Sequence, residues 1–157
     1  MNIYNTNIKL KKYLSEITAA KFKFQFHATS RDRAEKILKE GFKLARDSKD
    51  IRTHNYKIKT ISLADEFQYA EPYGDTVIKV KIIKGAKFLK RSFPSSVRQG
   101  ENLENAVNRW LKTAKDKDFD GVLVGKGIQS TVGNQILNPK ILIPVSIIER
   151  DVKNEYL

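Results

Sequence analysis

Residues 75–85, DTVIKVKIIKG, constrain the fold more than any other stretch. Val77, Ile78, Val80 and Ile82 are β-branched and largely alternate with lysines, the pattern of a half-buried strand. A strand leaves its backbone groups in need of partners, so the chain must supply further strands. KFKFQF, residues 21–26, alternates as strictly, with Phe22, Phe24 and Phe26 on one face. Lys21, Lys23, Gln25 and His27 share the other, so His27 is expected to point away from the core at a strand-to-helix turn. Shorter extended stretches follow: KTISLA (59–64), AKFLK (86–90), DGVLVGKG (120–127), NQILNP (134–139) and ILIPVSIIER (141–150).

Helical periodicity appears between them. In ENLENAVNRWLKTAKD, Leu103, Ala106, Val107, Trp110 and Leu111 recur at i, i+3, i+4, i+7 and i+8, with Trp110 read as a core anchor. After His27, Thr29 or Ser30 can cap a short helix carrying Ala34, Ile37 and Leu38, which Gly41 ends. Asp65 opens another, DEFQYAEPYG, broken by Pro72 and Gly74. Ile3, Ile8, Leu10, Tyr13 and Leu14 give residues 3–14 a basic amphipathic pattern. Residues 45–57 with His54, and RSFPSSVRQG (91–100), read as loops, and KGIQSTVGN (126–134) as a flexible connection. The chain is expected to form one domain over 1–157, with residues 1–20 as an N-terminal helical extension. Its class is α+β, helices on a mainly antiparallel sheet.

The absence of cysteine excludes disulfides, thiolate zinc sites and cysteine nucleophiles. No apolar run approaches the roughly 20 residues of a spanning helix, and MNIYNTNIKLKKYL lacks a signal peptide's apolar block. A cytoplasmic protein is expected, or one exported without such a mark, with no membrane partner. Net charge is +12, and residues 1–60 hold 15 Lys/Arg against 6 Asp/Glu. Such a basic first third favours nucleic acid, an acidic protein or an anionic cofactor as partner, although no aromatic-interleaved basic stripe stands out.

Spacing is more informative than any single residue. His27, Ala28 and Thr29, then Ile37, Leu38 and Gly41, keep the intervals of a histidine opening a hydroxyl turn and a glycine closing its helix. ISLA ends at Ala64, and Tyr73 falls nine residues later. NQIL, residues 134–137, stands where a late strand closes a sheet. In this order the three stretches resemble the motifs of the ADP-ribosyltransferase fold, in its poly(ADP-ribose) polymerase-like (His-Tyr-Glu) branch. The resemblance spans about residues 21–149 and implies a split, mainly antiparallel sheet with flanking helices.

It also implies roles. NAD would be the substrate, its nicotinamide–ribose bond broken through an oxocarbenium-like transition state while both ends of the dinucleotide are held. His27 would bond the adenosine ribose, assisted by Thr29, and Ala28 would hold the nicotinamide carboxamide by its backbone. Tyr73 would stack on the nicotinamide, with Tyr69 as the alternative, and Lys43 would meet the pyrophosphate. Ser62 would face the pocket or simply alternate outward on its strand, and no metal is expected. Two positions depart from the family. Gln135 stands in place of the glutamate that stabilises developing charge and orients the nucleophile, and an amide cannot act as a base. Ala70 replaces a serine.

Slow mono-transfer is therefore expected, or a carboxylate supplied by Glu149, Glu71, Asp118 or Asp120, or loss of catalysis. The function implied is an NAD-dependent mono-ADP-ribosyltransferase acting on a nucleic acid or protein. The alternatives are a non-catalytic NAD-, ADP-ribose- or nucleic-acid-binding module of the same fold, and an NAD-dependent RNA 2′-phosphotransferase. The last relies on further His and Arg residues, and this chain has two histidines.

Overall fold

The computed structural model describes residues 24–44, 56–129 and 131–148. The amphipathic 3–14 stretch, the rest of the N-terminal extension, the 45–55 loop with His54, and Glu149 lie outside the described residues. The elements are β1 (Gln25–Thr29), α1 (Arg31–Glu40), β2 (Ile61–Leu63), α2 (Phe67–Ala70) with a 3-10 turn Glu71–Tyr73, β3 (Thr76–Ile82), β4 (Phe88–Arg91), α3 (Leu103–Asp116), β5 (Gly121–Val124), β6 (Asn134–Ile136) and β7 (Leu142–Ile148). The class is α+β.

The strands form two sheets, β1-β3-β7 and β2-β6-β5-β4. Every pairing is antiparallel except β4 with β5. Among the described residues the backbones of the two sheets are joined by a bridge, Phe26 to Ala64, whose two reciprocal hydrogen bonds are each 2.9 Å.

Both faces of β1-β3-β7 are covered, because the chain returns to it with a helix on either side. α1 brings Ala34 and the following Phe42 against Ile78 and Val80, joined by Phe88, Leu123 and Ile136 of the second sheet. α2 covers the other face, where Phe26, Phe67 and Tyr69 surround Ala64, Ala70 and Val77. α3 lies on β4 and β5, its Val107, Trp110 and Leu111 packed on Leu89 and Val122.

This layering corrects the expected orientation of β1. Gln25 and His27 stand opposite Val80 and Ile78 in the ladder, on the face of the larger core, and Gln25 is 1% exposed. Alternation reports that a strand's two faces differ, not which one is inside, and here both are covered. Gln25 tolerates burial because its amide is satisfied. It donates to Asp65 at 3.1 Å and accepts from Asn134 at 2.9 Å.

Local boundaries shift for similar reasons. β1 continues past His27 to Thr29, which pairs with Thr76, leaving Ser30 alone to cap α1 by accepting from the Arg33 N–H. α2 begins at Phe67 rather than Asp65, because Asp65 is held in the buried amide network. Gly41 closes α1 at a φ of 86° and donates to Ile37 O. The 126–134 connection is anchored rather than loose: Ile128, Gln129 and Val132 are buried, and Gln129 bonds Val124 O and Asn134. Among the described residues, no helix is long and apolar enough to cross a membrane.

Candidate functional site

His27 follows directly on the Phe26–Ala64 bridge, at the seam where the two sheets meet. Its Nδ1 lies 2.8 Å from the carbonyl oxygen of Ser62. A carbonyl only accepts, so Nδ1 carries the proton, and Nε2 of the neutral ring keeps its lone pair as an acceptor. Phe42 meets the imidazole edge-on, with centroids 5.4 Å apart and an interplanar angle of 82°. The side chain is thus held on two sides.

Loss of hydration lowers the His27 pKa below the ordinary 6.5; the Ser62 bond opposes this and the nearby Arg33 charge adds to it. The sign for stability follows. Below pH 6.5 the unfolded chain takes up a proton that the folded chain refuses, so the contribution is present above that pH and lost as pH falls. In ¹⁵N-detected titration, His27 is expected as the Nδ1–H tautomer with a midpoint below 6.5. A midpoint above 6.5 would contradict the burial argument.

Ser62 connects His27 to Gln135. The two stand opposite each other in the β2–β6 ladder. Gln135 Nε2 donates to Ser62 Oγ at 3.0 Å and to Gly133 O at 2.9 Å. Its Oε1 accepts from Thr60 Oγ1 at 2.5 Å and from Ser62 Oγ at 3.2 Å. With 1% exposure, Gln135 is buried and saturated by its own chain. Gly133 permits this, since a Cβ there would stand 2.6 Å from Leu63 O.

Tyr73 reaches the same strand end by another route. A Cβ on the next residue, Gly74, would lie 2.6 Å from Thr29 N, 2.7 Å from Thr29 O and 3.0 Å from the Ala28 carbonyl carbon. Its φ of −170° suits any residue, so close approach alone demands glycine here. Thr29 cannot yield, being laddered to Thr76. Gly74→Ala is therefore expected to cost about 1–3 kcal/mol and to shift Tyr73 away from Ala28 and Thr29. Urea unfolding checks the cost; an unchanged midpoint would sink the steric argument.

Tyr73 is 37% exposed, whereas Tyr69 is half-buried against Ala64, Ala70 and Val77. Of the two, Tyr73 presents the accessible ring. Tyr56, half-buried on the α3 cluster, has its phenol pKa raised by burial first, then by nearby Glu104 and Tyr73. Lys43 is solvent-exposed, its ammonium 4.0 Å from Glu40. Its neighbour Phe42 touches His27. Ala70 is buried and offers no hydroxyl.

His27, Ser62 and Gln135 are thus joined in one chain of hydrogen bonds, the residue after Tyr73 packs on Ala28 and Thr29, and Tyr69 is half-buried against Ala64, Ala70 and Val77. Of the four candidate carboxylates, the three within the described residues fare unequally. Asp120 is committed elsewhere, accepting from Lys87 N at 2.8 Å and Asn138 Nδ2 at 3.0 Å. Asp118 sits in the turn after α3 at a φ of 60°. Glu71 opens the 3-10 turn that carries Tyr73.

Chemically, His27 Nε2 is left as an acceptor, whereas the Gln135 amide is already filled by its own chain and cannot take a proton. Sequence reasoning missed Thr60, Phe42, Gly133 and Tyr56. The spacing of Thr60 and Ser62, two apart on one strand face, was the available signal for Thr60. Compared with known proteins, the chain matches no family model, no curated protein and no solved structure.

Proposed function

We propose that this chain is an ADP-ribosyltransferase-like domain that takes NAD and transfers a single ADP-ribose slowly. The observation carrying this reading is the linkage through Ser62: its carbonyl orients His27 while its hydroxyl bonds Gln135. Residues 108 positions apart in sequence, at two positions the resemblance singles out, meet at one serine. NAD fits the groups present. A ribose hydroxyl donates to His27 Nε2, the Ala28 backbone takes the carboxamide, and Tyr73 stacks on the nicotinamide.

In the reaction the C1′–N1 bond breaks and its electron pair leaves with nicotinamide. The acceptor's lone pair then forms the new bond to C1′, and its proton passes to water, since Gln135 cannot receive it. That deficit sets the expected slowness. A second reading, NAD or ADP-ribose binding without turnover, is favoured by the saturation of Gln135.

Release of labelled nicotinamide from NAD tests the proposal. Slow release by the wild type, reduced about tenfold or more in His27→Ala by loss of one ribose hydrogen bond, is expected. Calorimetric binding of NAD without nicotinamide release would select the second reading. No release by wild type or Gln135→Glu at high enzyme concentration sinks transfer.

A further inference from the structure

Residues 76–100 contain seven Lys/Arg and no Asp/Glu. They include the turn after β4, where Phe93 is 52% exposed, more than any other large apolar side chain among the described residues. An aromatic ring at a loop tip is commonly mobile, but this one stands on a rigid base. Ser96 N donates to Ser92 O at 2.9 Å, Ser92 N to Ser96 Oγ at 3.0 Å, and Val97 N to Pro94 O at 2.9 Å. From α3, Arg109 Nη2 and Trp110 Nε1 both donate to Ser96 O, at 2.8 and 3.1 Å.

Arg109 also grips Glu101 through two nitrogens, at 2.8 and 3.1 Å. These bonds, with the Arg98 N–H next, hold the Glu101 carboxyl down to about 2, so the clamp stays ionised at any ordinary pH. The nearest acid to the turn is thereby committed to Arg109. Lys90 and Arg98 are exposed on either side of Phe93, and Arg91 is tied to Lys90 O at 2.7 Å.

We infer that the Phe93 turn, flanked by Lys90, Arg91 and Arg98, is a docking surface for single-stranded nucleic acid. A preordered aromatic ring offers a face to an unpaired base, and the flanking cations follow the phosphates. A duplex hides its base faces from a convex turn, and an acidic peptide has no use for the ring. The surface also lies within reach of the seam. Leu89 pairs with Val122, and Val122 with Gln135, so Gln135 lies two strand spacings, about 10 Å, from Leu89. Phe93 follows four residues later, at most about 13 Å further along the strand, so two or three nucleotides cover the separation. The inference deepens the proposed function by naming its acceptor class, and rests on that reading only for what happens to the bound strand.

Binding is measured without NAD, by fluorescence anisotropy of the full chain with labelled single-stranded DNA and RNA 15-mers, the matching duplexes and polyglutamate. Tight binding of one or both single strands, weakening as salt rises, is expected. Phe93→Ala is expected to weaken it about 5- to 100-fold, with Phe93→Trp near wild type, as stacking requires. Phe93 is exposed, so its truncation removes no core packing, and the unchanged fold is verified by circular dichroism. Single-strand affinity unaltered in Phe93→Ala, duplex bound as tightly, or polyglutamate competing equally would each overturn the inference. Nicotinamide release is a separate readout, so failure here leaves the transfer reading standing, and the reverse.

Discussion

Asn134→Leu is expected to remove about 3–5 kcal/mol of stability, as several buried polar groups lose partners at once. Asn134 is fully buried at the start of β6. Its Oδ1 accepts from Val124 N at 2.9 Å and Gln129 Nε2 at 3.1 Å. Its Nδ2 donates to Gln25 at 2.9 Å and to Asp65 at 2.8 Å. Leucine has similar volume but would strand a buried backbone N–H, a glutamine oxygen and part of a carboxylate. Each orphaned group costs about 1–3 kcal/mol, against a total stability of about 5–15 kcal/mol for a typical domain.

The network also crosses the seam, uniting β1, β5 and β6 with the residue after Ala64. Losing it loosens the frame that sets His27 against Ser62, so NAD binding is expected to fall with stability. Urea unfolding measures the first effect and calorimetry the second. A loss below about 0.5 kcal/mol, the range of ordinary surface changes, would show that water satisfies these groups and that the network is dispensable.

The order and kind of elements were legible because their evidence is local. Alternation marks β3, a 3.6-residue period marks α3, and Gly41 announces the end of α1. Long-range pairing was not legible. Nothing in KTISLA or NQIL states that Ser62 faces Gln135, since register depends on how two strands distant in sequence meet. Gln25 shows the same limit from the other side. Its polarity argued for solvent, and only the arrival of Asp65 and Asn134 from elsewhere makes its burial tolerable. The interval argument singled out His27, Tyr73 and Gln135. It could not reveal that Gln135 arrives with every hydrogen-bonding position filled. The Phe93 turn was hidden likewise: RSFPSSVRQG carries loop composition, and its rigidity comes from Arg109 and Trp110, which follow it in the chain.

Gln135→Glu is expected to raise nicotinamide release by about 10²-fold or more, the scale on which a positioned charge or base acts. The carboxylate would stabilise the oxocarbenium ion and take the acceptor's proton, the two tasks an amide cannot perform. Thr60 and Ser62 can both donate to it, favouring the ionised form. Gly133 O opposes it, because the oxygen replacing Nε2 would face a carbonyl 2.9 Å from the present nitrogen. Burial adds to that opposition and raises the new carboxyl's pKa. The sign is then fixed: the protonated form is the better tolerated, so stability is retained in acid and lost as pH rises through the raised pKa. At neutral pH the cost is about 1–3 kcal/mol. Faster release from a less stable variant is the expected joint outcome, read from labelled nicotinamide release and from urea midpoints at pH 5 and 8. Release no faster than wild type in a folded variant would remove Gln135 from the glycosidic bond. The linkage through Ser62 would then serve only to hold the two sheets together.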